Sequence, residues 1–272
     1  MINLETMAEQ YKNAGYSEQN ADARVCQDIV LKAIEQSDFG RNVTVKGGVV
    51  MRSLTGNIRR ATEDLDLDFI RYSLDDNSIR YFIERLNCLE GITIEIKDDK
   101  IEQLSQQEYN GKRVYIVIRD SAGCSLESKI DLGVHAKLKI EQNSYWFDVC
   151  MDEEGASLLI NSCEQIFAEK LRSLLRFGPL STRYKDIFDF CYLIEHVDMV
   201  RLVDCIKVYI VDEPSMREKD IQGIQKRVSL TFSNYRFKRN LERCGDRNWL
   251  QIDVGDAFTR IQEFLEKVNI YW

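Results

Sequence analysis

The sequence predicts an α+β chain, in which strands and helices are interspersed up to a boundary near residue 155 and only helices follow. Three observations carry that expectation. Short runs rich in Val, Ile and Phe recur with period-two alternation between residues 43 and 149, bounded by Gly, Asn and Asp. From Ser162 onward the chain reads as helix after helix, and the composition shifts at Glu153-Glu154-Gly155. The length of 272 residues suits one large domain or two modest ones, and 44% apolar with 30% charged residues describes a folded chain, not a disordered one.

Residues 3–36 read as two helices broken at Gly15-Tyr16-Ser17, with Ser17 as N-cap of the second. Val25, Ile29 and Ile34, with Cys26, Val30 and Ala33 beside them, give that helix an apolar face for packing on a sheet that begins at Asn42. Val43-Thr44-Val45 is a short strand, Gly47-Gly48 follow at once, and Val49 to Leu54 form a short helix that ends at Gly56-Asn57. Two glycines at a strand-to-helix junction let the backbone turn tightly and approach something bulky, and the first amides of the helix can hold an anion. Arg59-Arg60 lead into Asp64-Leu65-Asp66-Leu67-Asp68-Phe69. On a strand, Asp64, Asp66 and Asp68 share one face and the apolar residues share the other. Carboxylates in a row repel one another unless cations or solvent sit on that face, and a pair of Mg2+ ions is the natural compensator. A glycine pair alone is more often a plain turn, and acidic alternation alone also fits a solvated edge strand. The immediate succession of glycines, bases and acids favours phosphate and metal.

Residues 77–89 read as a helix capped by Asp75 or Asp76, with Ile79, Phe82, Ile83 and Leu86 inward. Residues 92–96 and 114–118 are strands, with a turn or a short solvated excursion at 97–100. Residues 125–134 alternate strictly and put Glu127, Lys129 and Asp131 on one face. Asp131 is the candidate for the further carboxylate that a two-metal site needs, a strand-end turn being its ordinary use. His135 reads as a surface or edge histidine. Residues 145–149 are aromatic enough to stack on a base, although packing is the commoner use.

In the helical part, residues 163–177 carry Glu169, Lys170, Leu171, Arg172 and Arg176 and stop at Gly178-Pro179. Residues 182–194 hold Arg183, Lys185, Asp186 and Asp189. They form either an ordinary ion-pair ladder or a frame in which Asp186 orients basic groups or meets a nucleotide. Residues 198–210, 215–228 and 256–268 continue as helices. Between 226 and 247, Lys226, Arg227, Arg236, Lys238, Arg239, Arg243 and Arg247 face only Glu242 and Asp246, with Tyr235, Phe237 and Trp249 interleaved. In a chain of net charge -8 this window is the candidate for contact with a nucleic-acid backbone, a merely basic surface being the alternative.

The same net charge argues against a nucleic-acid coat protein. Eight cysteines are scattered without a CxxC, and with only His135 and His196 beside them they do not suggest zinc. They read as small buried hydrophobes in a reducing compartment. With no signal segment and no apolar run approaching the ~20 residues of a membrane span, the expected location is cytoplasmic, with no membrane partner.

Lys46-Gly47-Gly48, Thr62-Glu63-Asp64-Leu65-Asp66-Leu67, Glu169-Lys170-Leu171 and Arg183-Tyr184-Lys185-Asp186-Ile187-Phe188-Asp189 resemble, in order and spacing, the AbiEii/AbiGii toxin family of nucleotidyltransferases. The resemblance implies a bilobal enzyme of the DNA polymerase beta-like superfamily. Its small mixed-sheet lobe, residues 1–155 with the N-terminal helices, would carry the metal carboxylates, and a helical lobe, residues 156–272, would close the nucleotide cleft. Family members are typically toxins of toxin–antitoxin or abortive-infection pairs, and some relatives add nucleotides to the 3' end of tRNA. The resemblance places the glycine loop at Gly47-Gly48, the metal pair at Asp64 and Asp66, the lysine at Lys170 and the second-lobe acid at Asp186. The superfamily pattern is Gly-Ser, so with Gly48 in the second place backbone amides would meet the phosphate without a hydroxyl.

These readings combine into one expectation. Asp64 and Asp66, with Asp131, hold two Mg2+ ions, while Lys46, Gly47, Gly48, Lys170 and Arg172 meet the phosphates of an NTP. Arg236, Lys238, Arg239 and Arg243 bind the acceptor, an RNA and first of all a tRNA 3' end, and an antitoxin is a further partner. The alternatives are transfer to a small molecule or a protein side chain, and a catalytically degenerate binding protein.

Overall fold

A computed structural model describes residues 2–104 and 111–272. Its contacts divide the chain into two units, Met1–Asn161 and Ser162–Trp272.

The first unit opens with helices α1 (Leu4–Asn13) and α2 (Glu18–Gln36), whose N-termini are capped by Asn3 and Ser17. It continues through β1 (Val43–Lys46), α3 (Gly47–Thr55), β2 (Leu65–Phe69) and α4 (Asp76–Arg85). The strands β3 (Ile92–Gln103), β4 (Lys112–Asp120), β5 (Ser125–Val134), β6 (Asn143–Phe147) and β7 (Ala156–Ile160) complete it. Together the strands form a 7-stranded sheet in the order β3-β4-β5-β2-β1-β7-β6. Two pairings, β2 with β5 and β1 with β7, are parallel and the rest antiparallel, so the sheet is mixed as the resemblance implies. Leu65, Leu67 and Phe69 of β2, Val114, Ile116 and Ile118 of β4 and Ile130 and Leu132 of β5 are buried, as are Val25 and Ile29 of α2 and Ile79 and Phe82 of α4. Burying each large side chain contributes about 1.5–3 kcal/mol, which fixes the register on which the site depends.

Three local readings change. β7 forms an inner strand between β1 and β6, so the sheet extends past the boundary placed at residue 155 and the first unit ends at Asn161. The turn or solvated excursion expected at residues 97–100 is an irregularity inside one continuous strand, β3. Asp98 and Asp99 take positive φ (50 and 55) and absorb the register shift between Ile96 and Ile101. His135 is buried, only 5% exposed, with Nε2 3.1 Å from the Ile140 carbonyl oxygen.

The second unit consists of α5 (Cys163–Phe177), α6 (Tyr184–Leu193), α7 (Met199–Ile206, continued by a wider turn over Lys207–Val211), α8 (Ile221–Phe232), α9 (Tyr235–Arg243) and α10 (Val254–Val268). Phe167, Phe190 and Phe264 meet edge-on or tilted at its centre, and Phe232 stacks on Phe258 with centroids 4.0 Å apart. α9 lies inside the basic window as a separate helix. Asn234 caps it by accepting from the Phe237 amide, and Phe237 and Leu241, one turn apart, are its buried face. α8 starts at Ile221, where Asp220 caps it, and not at residue 215.

All eight cysteines are free thiols, but only Cys26, Cys191 and Cys205 are buried, and Cys88 is exposed. Burial pushes the Cys26 thiol up to about 12, which keeps it protonated and inert. No helix among the described residues is long and apolar enough to cross a membrane.

Candidate active site

Strand register assembles the site. Lys46 on β1 pairs with Asp66 on β2, Asp66 with Asp131 on β5, and Asp131 with Arg113 on β4. Directly paired residues on neighbouring strands point to the same face, so four strands present one row in the order cation, acid, acid, cation. Asp64 and Asp68 flank Asp66 on that face. Four carboxylates gathered this way would repel strongly in isolation, and the chain supplies cations against them. Lys129 Nζ lies 2.8 Å from Asp64 Oδ1, and Lys46 Nζ lies 2.6 Å from Asp68 Oδ1. Arg113 grips Asp131 with two bonds, from Nε at 2.7 Å and from Nη2 at 2.8 Å, and this bond holds the guanidinium charged well above its ordinary range.

The glycines do approach something bulky, and it belongs to the chain itself. A Cβ on Gly47 would collide with the Asp66 carboxylate, Oδ2 first and Cγ at 3.0 Å, and Gly47 has φ +67 as well. A Cβ on Gly48 would come within 2.6 Å of Thr62 Oγ1. Gly133 plays the same part on β5, leaving room for the Asp68 carboxylate and, 3.4 Å from its absent Cβ, for Lys46 Nζ. α3 starts at Gly47 with no side-chain cap on its first turn, so its leading amides form the kind of N-terminus that attracts anions.

Carboxylate oxygens on adjacent strands are the donors a hard divalent cation prefers, so Asp64, Asp66 and Asp131 fit Mg2+ in kind. Among the described residues, however, no three His, Cys, Asp or Glu side chains lie close enough to hold an ion by themselves. The ion pairs to Lys129 and Arg113 supply the countercharge in this arrangement.

In the helical unit, α5 and α6 bring together Lys170 and Asp186, the lysine and the acid that the resemblance names. Lys170 Nζ bonds Asp186 Oδ1 and lies 2.9 Å from Asp189 Oδ2, with its side chain 10% exposed. Asp189 is fully buried and accepts a 2.9 Å bond from Trp249 Nε1. The sequence offered a hint of Asp189, one turn beyond Asp186, but none of Trp249. Arg172 lies one turn from Glu169 and Arg176 along α5. On α9, Arg236, Lys238, Arg239 and Arg243 are exposed, and Tyr235 is 76% exposed. Phe237 and Trp249 are core residues and offer no stacking surface. Arg227 turns inward, its Nε donating at 3.1 Å to the Leu175 carbonyl at the end of α5.

No curated protein matches the chain. A solved structure, described as an antigenic nucleotidyltransferase-like protein from Paracoccidioides brasiliensis, is similar at 14% identity and a TM-score of 0.45, over 88% of this chain and 92% of that one. A family profile described as "Nucleotidyl transferase AbiEii toxin, Type IV TA system" matches residues 29–246. The match spans most of both units, so the chain belongs to the AbiEii family and is a nucleotidyltransferase toxin of a toxin–antitoxin system, a setting that implies an antitoxin partner.

Proposed function

We propose that this nucleotidyltransferase is metal-dependent and moves a nucleoside monophosphate from an NTP to a hydroxyl of an RNA, the 3' end of a tRNA being the first candidate. The observation that carries the reading is the row Lys46, Asp66, Asp131, Arg113, with Asp64 beside it. Asp64 and Asp66, with Asp131, would hold two Mg2+, whose chemistry when bound is to activate the acceptor hydroxyl and to stabilise the pyrophosphate leaving group.

The chain's own groups do the rest. Gly47 leaves room for the Asp66 carboxylate against the start of α3, and the amides of Gly47 and Gly48 donate to phosphate oxygens, with Lys46, the ion-pair partner of Asp68, next to them in the chain. By the family resemblance Lys170 is the lysine of the nucleotide site, with Arg172 as a further cation, and within the helical unit Asp186 and Asp189 fix the direction in which the Lys170 ammonium points. The exposed bases of α9 neutralise phosphates of the RNA acceptor.

Asp66→Ala tests the site. With each labelled NTP and Mg2+ in cell extract, the wild-type chain labels a nuclease-sensitive product, and the variant labels nothing while keeping its circular dichroism spectrum. Labelling by the variant at the wild-type rate would falsify the assignment. A labelled protein or small molecule in place of RNA would move the acceptor to another class, which the net charge of -8 would then accommodate. No labelled product from the wild type with any NTP would leave a binding protein.

A further inference from the structure

One end of β5 lacks a neighbour on the β2 side. β2 pairs with β5 from Leu65 opposite Ile130 onward, so among the described residues β5 residues 125–129 have β4 as their one strand partner. A cavity of about 330 Å³ occupies the notch, within the range of small-molecule sites, ~300–1,000 Å³. Asp22 and Ala23 come to it from α2, Glu63 from the approach to β2, Tyr115 from β4, and Glu127 and Lys129 from β5.

The notch adjoins the carboxylates. Lys129 is the ion-pair partner of Asp64, and Glu63 precedes Asp64 in the chain. α3 and its anion-attracting amides reach Asp66 from the β1 side of β2, and the notch lies on the β5 side of β2, lined by Glu63 and by Lys129, the ion-pair partner of Asp64. Phosphoryl transfer places the attacking and leaving oxygens roughly in line, so an acceptor enters from the side opposite the triphosphate.

The lining tells which part of an acceptor fits. Asp22, Glu63 and Glu127 outnumber Lys97 and Lys129, and the lysines are already engaged, Lys97 with Glu127 at 2.6 Å and Lys129 with Asp64. Such a lining repels phosphate and accepts an uncharged polar group. Tyr115 is held in place, its hydroxyl donating to Glu102 at 2.8 Å and Lys100 Nζ lying 4.0 Å from its ring centroid, so its ring is a fixed aromatic surface. The uncovered edge of β5 adds backbone donors and acceptors of the kind that read the edge of a base.

We propose that this notch is the acceptor subsite, and that it takes the terminal nucleoside of the RNA, base against Tyr115 and the bare edge of β5, ribose hydroxyl toward Asp64. The proposal rests on the nucleotidyl-transfer reading above.

Two variants of its lining test it. Ala23→Phe fills the notch, and Tyr115→Leu removes the aromatic surface. Each is expected to raise the KM for small RNA about tenfold or more while the KM for NTP stays within about twofold, and in Ala23→Phe kcat at saturating RNA stays within about twofold as well. Independently, millimolar adenosine, cytidine, guanosine and uridine are titrated against the full wild-type chain by saturation-transfer NMR. At least one is expected to bind, to keep binding in Asp66→Ala, and to be lost in Ala23→Phe, whereas inorganic phosphate does not compete. Loss of transfer in Asp66→Ala together with wild-type RNA KM in both notch variants overturns this inference and leaves the transfer reading standing, as does absence of nucleoside binding to the wild type. Displacement of the nucleoside by the polycation spermine alone would point to a cationic acceptor and overturn it too. Should one variant fail to fold, the other variant and the wild-type titration decide.

Discussion

Gly47 shows how far a single residue shapes the site, because two separate demands meet there. Its φ of +67 disfavours any L side chain, and the Asp66 carboxylate occupies the space where a Cβ would stand. Gly56 shares the first demand alone, with φ +60 and no atom of the described residues within 4 Å of the place a Cβ would take. Gly56→Ala is therefore expected to cost about 1–2 kcal/mol of stability from backbone strain and leave transfer activity near wild type. Gly47→Ala should cost more and also displace Asp66, so nucleotide transfer should fall by about a hundredfold or more. Urea unfolding and a transfer assay on the two variants side by side check this, and equal behaviour of the pair would show that the Asp66 contact is idle. Asp120 is a second such residue. Its carboxylate accepts from the amides of Leu4 at 3.0 Å, Ala122 at 3.0 Å and Cys124 at 2.9 Å, pinning the start of α1 to the β4–β5 turn. The Leu4 amide above all, then those of the turn, hold its pKa below the ordinary carboxylate value. A depressed pKa contributes stability that is complete above the unfolded value, ~3.9, and lost as the pH falls through the folded one. Asp120→Asn should accordingly lower the melting temperature at pH 7 and narrow the gap from wild type as the pH drops below about 4, which melting curves across that range will show.

Among the elements, α5 and α6 act through one buried cluster, Lys170 between Asp186 and Asp189, with Trp249 behind Asp189. Asp189→Asn removes a fully buried charge from a paired lysine and is expected to cost about 3–5 kcal/mol, whereas Trp249→Phe loses one hydrogen bond to a charged acceptor, about 1.5–3 kcal/mol. If Asp189 positions Lys170, Trp249→Phe should also raise the KM for NTP, while a purely structural cluster would lower stability and leave that KM alone. Elements with a strict period were legible in the sequence. β5 and α5 have the bounds that their alternation and helical spacing suggest, Ser125–Val134 and Cys163–Phe177. β7 was not, because ASLLI is short and its parallel pairing with β1 is a distant choice that no local pattern encodes. α9 was hidden because five of its nine residues are charged and only Phe237 and Leu241 mark a buried face. The same limit applies to the site. Alternation put Asp64 and Asp66 on one face of β2, and Asp131 with Lys129 on one face of β5. That Arg113 grips Asp131 and Lys129 meets Asp64 follows from the β4–β5–β2 register, which depends on how separate strands align and not on any one of them.

Across the whole molecule, charge is distributed against its sum. The chain carries -8, yet α9 exposes Arg236, Lys238, Arg239 and Arg243 against Glu242, which sits 4.0 Å from Lys238. A polyanion is repelled by most of such a surface and attracted by this helix, so the proposed RNA contact should be local and strongly dependent on salt. Each phosphate neutralised on a single strand contributes about -0.7 to the slope of log K against log salt, and four contacts give roughly -3. Reversing Arg239 and Arg243 to Glu should bring the slope close to half that value or below and weaken binding at low salt by well over tenfold. Arg227→Gln is the control inside the same basic window. Its guanidinium is already committed to the Leu175 carbonyl, so the substitution should lower stability by about 1–3 kcal/mol and leave the salt slope unchanged. Fluorescence anisotropy with labelled small RNA at several salt concentrations separates the cases. A slope near zero for the wild-type chain, or an equal loss in the Arg227 variant, would remove α9 from the acceptor contact and leave the acidic surface to select a different class of acceptor.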